Sequence, residues 1–296
     1  MEPDLQGVMM AMSNLNARRI GSVAGLLSPA TLLVLGSLVL PMLTLLRYSF
    51  NAYDPIVLMR ETFTLENYLR FLAEPYFHEV ILTTLAVALV STCGSSILGF
   101  PIAYFLARTQ SRFKSLLVVL VIFPLLVGNV VRAAGWIALF GSRGVINVTL
   151  MKLGLISQPI EIMYTDFAVI IGTLSVVLPF MILTLQGVIE NVDFSIVDAA
   201  LNLGASRAKA FTRIFLPMIM PGVLAGFVLI FILCMNAYAT PYLLGGPGYK
   251  MMAPALYDQI SSAANWPFGS ALAFILMAVT VISTLLVTRL TTRRRR

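Results

Sequence analysis

The sequence predicts an all-α, polytopic membrane protein with six transmembrane helices, and three observations carry that prediction. Of 296 residues, 59% are hydrophobic and only 11% charged, whereas a soluble domain carries about 25% charged residues. Six apolar stretches are long enough, at about 20 residues each, to cross a bilayer. Basic residues gather in short segments on alternate sides of those stretches. A net charge of +7 would suggest nucleic acid for a soluble chain. Distributed in this way it orients a membrane protein, and no nucleic-acid partner is expected.

The spans fall near 23–46, 80–106, 116–140, 167–185, 218–243 and 268–287. The first is too long, and too weakly flanked by small residues, to be a cleaved signal peptide, so it is expected to stay as a span. Between spans one and two lies the largest connecting segment, 51–75. Within it Phe63, Leu65, Tyr68, Leu69 and Leu72 follow helical spacing and predict a short interfacial helix. No linker, low-complexity run or internal repeat divides the chain. The expected organisation is a tail at 1–22, one membrane domain at 23–289 and a basic tail at 290–296.

Charge decides the orientation. One set of segments holds Arg18, Arg19, Arg108, Arg112, Lys114, Arg207, Lys209, Arg213, Arg289 and 293–296, all arginine. The opposite set holds fewer bases and most of the acids, among them Asp54, Glu61, Glu66, Glu74, Glu161, Asp166 and Asp258. The first set is therefore assigned to the cytoplasm, with both termini inside. Cys93 and Cys234 lie within apolar stretches and form no metal motif. His78 is the only histidine, so a multi-histidine metal site is excluded, and no metal site is expected.

The polar segment 198–217, DAALNLGASRAKAFTRIFLP, lies between two apolar spans on the cytoplasmic side. Asp198 to Leu203 reads as the start of a helix, with the acid in its first turn and Ser195 as a possible cap. Gly204 reads as the break, since it permits a left-handed turn. Residues 205–215 read as a second helix, and Pro217 is expected to break the pattern at the membrane. Ala199, Ala200 and Gly204 leave a small-faced front suited to a cleft on another protein. A basic loop alone would be an ordinary orienting connection.

The spacing goes further. Asp-Ala-Ala, three residues, Gly204, nine residues, Ile214, one residue and Leu216-Pro217 resembles the EAA loop of ATP-binding-cassette (ABC) importer permeases. Only the first letter departs, Asp198 standing for Glu; the carboxylate is kept and its reach is one methylene shorter. The resemblance implies a type I, MetI-like permease fold. It also implies that Asp198, Ala199, Ala200, Gly204, Arg207, Leu216 and Pro217 couple the chain to a separate ATPase. The implied partners are a second, usually different, permease chain, two ATP-binding subunits, an external substrate-binding protein and membrane lipid. The implied location is the inner (plasma) membrane of a bacterium.

The chain is not expected to be an enzyme. Gly245 to Lys250, GGPGYK, lacks the spacing and hydroxyl residue of a phosphate-cradling loop. No cofactor is expected here, with ATP and Mg on the partner ATPase. Residues 121–147, with Pro124, Arg132, Trp136, Gly144 and Asn147, resemble the spermidine/putrescine branch. So do ATPYLLGGPG at 239–248 and NWPFGSA at 265–271.

For the solute path, Asn129 and Trp136 lie one heptad apart and are expected to share a face. Asn236, Tyr238 and Thr240 fall close together, with Pro241 able to interrupt the helix. Arg132, the one base within a span, either snorkels to headgroups or lines and braces the path. A polycation would favour acids or aromatic faces along its route, and no acid lies deep in a predicted span. An amino acid, opine or phosphonate is the alternative cargo. An ion-coupled secondary transporter would need a midplane acid, and a non-transporting membrane scaffold is the third class.

Overall fold

The computed structural model describes residues 28, 29 and 31–293. Residues 1–27, which hold the expected N-terminal tail and the start of span one, lie outside the described residues, as do 294–296. Six helical stretches are long and apolar enough to cross a membrane: Thr31–Ser49, Pro75–Arg108, Asn129–Lys152, Asp166–Glu190, Arg207–Met235 and Trp266–Arg289.

Helix α1 (Thr31–Ser49) buries none of its apolar window within the chain. The segment after it contains a small hairpin that the all-α reading did not include. Strand β1 (Ala52–Asp54) pairs antiparallel with β2 (Leu58–Arg60). Asp54 builds the turn: its Oδ1 accepts the N–H groups of Ile56 at 2.8 Å and Val57 at 3.1 Å. Those bonds from Ile56 and Val57 hold its carboxyl below the usual carboxylate range. Helix α2 (Glu66–Ala73) follows where the interfacial helix was expected. Buried Asn67 donates to the carbonyls of Ser49 and Asn51, at 2.9 Å each, and ties α2 to the end of α1.

Helix α3 (Pro75–Arg108) packs more extensively on α7 (Asp166–Glu190) than any other two elements pack on each other. Small residues allow this approach, as is usual between membrane helices. Ala88, Ser91, Ser95 and Ala103 of α3 are buried there. A side chain at Gly99 would meet Met181 at 3.2 Å. The core continues through Ile219 and Ile230 to Phe268 and Leu272. Cys93 and Cys234 are free thiols, the second of them buried.

Span three differs from the expected single helix. Helices α4 (Lys114–Leu126) and α5 (Asn129–Phe140) are separated by extended backbone at Val127 and Gly128. Their combined helical rise is about 37 Å, enough for one crossing. Pro124 lies inside the last turn of α4, where it removes a helical hydrogen bond and weakens the turn. Helix α6 (Val145–Lys152) follows a tight turn. At Gly144 a side chain would lie 2.5 Å from the Leu139 carbonyl oxygen and 2.8 Å from that of Ala138, so only glycine fits. Fully buried Asn147 then donates to Gly141 O at 3.1 Å and Ile160 O at 3.0 Å, and accepts from Ile160 N at 2.8 Å.

Helices α8 (Phe194–Asn202) and α9 (Arg207–Ala210) form the loop before span five. A π-helical turn (Phe211–Phe215) then leads into α10 (Leu216–Met235). Span five also divides, but not at Pro241. Helix α10 ends at Asn236, and α11 (Ala239–Gly245) resumes after Tyr238. Pro241 sits in the first turn of α11, where no helical donor is lost. Asn236 instead donates its side-chain amide to Ile232 O at 2.9 Å, beside its own main-chain N–H at 3.3 Å, a local bond that competes with continuation of the helix. Helix α12 (Met252–Tyr257), a π turn (Asp258–Ser262) and α13 (Trp266–Arg293) complete the chain.

Candidate coupling element and translocation cavity

The loop before span five forms a helix, a left-handed turn and a second helix. Asp193, not Ser195, caps α8: its carboxylate accepts the Ser195 N–H at 3.0 Å. Hydrogen bonds from Ser195, side chain first and then backbone, hold the Asp193 carboxyl below the usual carboxylate range. Because α8 starts at Phe194, Asp198 lies in mid-helix and not in the first turn. Asp198 and Ala199 are exposed and Ala200 is half-buried.

Gly204 ends α8 with φ +87°. Its N–H donates to Leu201 O and the Ala205 N–H donates to Ala200 O, both at 3.0 Å. This paired pattern closes a helix through a left-handed residue, which glycine adopts without steric cost. Around Gly204 there is open space. Beside it Leu203 is 90% exposed, an apolar tip with no cover in the chain. Ser206 caps α9 by accepting the Lys209 N–H at 3.3 Å, and Arg207 is exposed.

Pro217 does not break the chain. The Leu216 N–H donates five residues back to Phe211 O within the π turn, so the missing proline N–H is absorbed and Arg207–Met235 continues as one helical stretch. Leu216 packs inward against the core. An aromatic joint ties the loop to span two. Phe194 stacks on Phe215 at 5.6 Å, and Tyr104 of α3 meets Phe215 edge-on at 5.5 Å. The Arg108 guanidinium lies 4.1 Å from the Phe194 ring centre. Lys114 pairs with Glu190 at 2.9 Å and links the starts of span three and the loop.

Toward the far end of the spans, a cavity of about 530 Å³ opens between α5, α7 and the break after α10. Asn129, Arg132, Asn236, Tyr238 and Thr240 line it. So do Thr173, Val176, Val177 and Phe180 of α7, which share one helical stripe. Thr173 is buried and its hydroxyl has no partner among the described residues. Trp136 departs from the expected shared face. It faces a second, apolar cleft, donates its indole N–H to Ser175 Oγ at 2.9 Å and packs on Phe140. Arg132 reaches back across the helix break. Its guanidinium donates to Pro124 O and, at 3.0 Å, to Val127 O, thereby satisfying the open end of α4. Its Nε and Nη1 are buried without partners among the described residues.

A family described as the binding-protein-dependent transport system inner membrane component matches residues 95–296. The chain belongs to that family. The spermidine/putrescine transport system permease protein PotB of Escherichia coli K12 is 36% identical over 240 residues, covering 81% of this chain and 87% of that protein. PotB of Haemophilus influenzae is 33% identical over 248 residues, covering 84% and 85%. A bacterial alginate ABC transporter, solved with an alginate-bound periplasmic protein, aligns with a TM-score of 0.77 at 18% identity, covering 94% and 96%. That likeness is one of fold. The permease is thus a multi-pass inner membrane protein with the MetI-like ABC importer fold.

The predicted site residues therefore divide into three groups. Asp198, Ala199, Gly204 and Arg207 share the exposed loop, while Leu216 and Pro217 build the helix that carries it. Asn129, Arg132, Asn236 and Tyr238 meet in one cavity, and Trp136 does not join them. Two features escaped the sequence reading. Leu203 was read only as the end of the first loop helix, and Thr173 sat unremarked in span four. The stripe 173, 176, 177, 180 was the available signal for the second.

Proposed function

We propose that this permease forms half of the path for a polyamine or closely related amine, with ATP hydrolysed on separate subunits that dock against residues 190–217. The observation that carries the proposal is the identity of more than one third with spermidine/putrescine permeases across four-fifths of the chain. The site is compatible with it. The loop offers an exposed apolar tip at Leu203 beside a turn that only residues tolerant of positive φ can adopt. The cavity offers polar groups within an apolar span bundle, as a small polar solute needs. Charge distribution supports both termini and the docking loop on the cytoplasmic side, with an external binding protein on the other. On this reading Asp198, Ala199, Ala200, Gly204 and Arg207 form the docking face, and the partner permease completes the cavity.

The test is uptake of radiolabelled spermidine into vesicles that contain the complete transporter, with its binding protein outside and ATP within reach of the loop. Accumulation that requires both ATP and the binding protein is expected. Uptake that persists without the ATP-binding subunits would sink the importer reading. ATP-dependent uptake of an amino acid with no spermidine uptake would move the cargo to the alternative class.

A further inference from the structure

The outer end of the cavity holds an aromatic cluster that the sequence reading did not assemble. Tyr238 lines the cavity with one side. With the other it meets Tyr257 at 4.6 Å between ring centres and Tyr242 at 5.4 Å. Tyr242 and Tyr257 meet edge-on at 5.8 Å. Tyr257 is 40% exposed, so the cluster runs from the surface to the cavity wall. Asp258 follows Tyr257 and opens the π turn after α12, a local geometry often kept where a side chain must be aimed at a site. Among the described residues its carboxylate has no ion pair and no hydrogen bond. The neighbouring cation, Lys250, is occupied by Glu79.

We infer that Tyr238, Tyr242, Tyr257 and Asp258 form an amine-binding subsite at the mouth of the cavity, which receives the cationic solute before it passes inward. The inference rests on the polyamine reading above. A chain of alternating methylenes and ammonium groups needs flat apolar faces and negative charge together. Tyrosine rings supply an apolar surface with a negative face, and Asp258 supplies a full charge with no cation of its own. The acid missing from the predicted spans is thus found just outside them, one residue beyond the ring that covers Tyr238. The opposite wall carries Arg132, whose guanidinium is turned onto the Pro124 and Val127 carbonyls.

The experiment uses the complete transporter in vesicles and compares spermidine, with three charges, against putrescine, with two. Asp258→Asn and Tyr257→Leu are each expected to lower maximal spermidine uptake by about tenfold, and putrescine uptake less, as a charge-reading site requires. Tyr257→Phe keeps the ring and is expected to stay within about twofold of wild type. Co-purification of every variant with its partner subunits at wild-type yield reports folding and assembly. Variants that import both amines at the wild-type rate would remove the subsite and leave the polyamine reading standing. Equal losses for both amines, with Tyr257→Phe as poor as Tyr257→Leu, would assign the cluster a structural role and overturn the proposal. Wild-type vesicles that import neither amine would end the polyamine reading and this inference with it.

Discussion

At the end that carries the loop, span five runs from Arg207 through the π turn into α10 without interruption; at its other end it stops at Asn236 and resumes at Ala239. The contrast extends to the neighbours. The loop end is locked by ring-on-ring contacts among Phe194, Phe215 and Tyr104. Across the cavity end, α4 and α5 also part, and there a side chain stands in for a main-chain donor. Arg132 bridges that break through the Val127 carbonyl. A continuous helix is stiff, so the contrast predicts that a displacement at Arg207 is carried toward the cavity. A break bridged by a side chain is predicted to give way before the aromatic joint does.

Substitutions at four positions break or sharpen this contrast, beginning with the largest expected effect. Gly204→Trp should abolish coupled uptake, since a lost docking energy of about 3 kcal/mol is a hundredfold in affinity. Gly204→Asn should retain most of it, because asparagine tolerates positive φ. The paired measurement of uptake and binding-protein-stimulated ATPase separates bulk from backbone conformation, and equal behaviour of the two variants would count against docking. Asn147→Leu should cost about 3 kcal/mol of stability, because it removes three hydrogen bonds at about 1 kcal/mol each and leaves the Ile160 N–H without a partner. Thermal unfolding in detergent, read by exposure of the free thiols, checks it.

Arg132→Leu should cost about 2 kcal/mol, the loss of charge-assisted bonds to an open helix end. It should also raise the leak of small solutes through the resting transporter, measured as dye efflux from vesicles. An unchanged leak would mean that the break is held shut by packing. Phe194→Leu should be the mildest, at about 1 kcal/mol from the lost guanidinium–ring contact. Its signature should be ATP hydrolysis kept with less solute moved per ATP, which places slack in the aromatic joint.

The fold class was legible because bilayer thickness and apolar run length leave few alternatives. Charge asymmetry and the Gly204 spacing made the loop legible for a local reason: a left-handed helix stop is a property of a few consecutive residues. The break in span three was not legible, because Pro124 and Gly128 are both tolerated inside membrane helices when neighbours satisfy the backbone. Pro241 misled for a related cause, since a proline that begins a helix resembles one that ends it. Trp136 was expected to share a face with Asn129; a heptad leaves two residues about 20° apart around a helix and does not say which neighbour a long side chain meets, and here the indole reaches Ser175. The hairpin at Ala52–Arg60 was hidden in a short segment with little period.

By itself the sequence determined the membrane setting, the spans, the helix-stopping turn at Gly204 and the family, since each rests on composition or on spacing within about 20 residues. Only the tertiary structure decided which polar side chains share the cavity, that Arg132 seals a helix end, and that Tyr238, Tyr242 and Tyr257 meet. Those outcomes depend on how far one helix is rotated against another and where each is cut. A linear pattern does not record rotation; packing does, because small residues such as Gly99 let α3 and α7 close at one angle and carry every attached side chain with them.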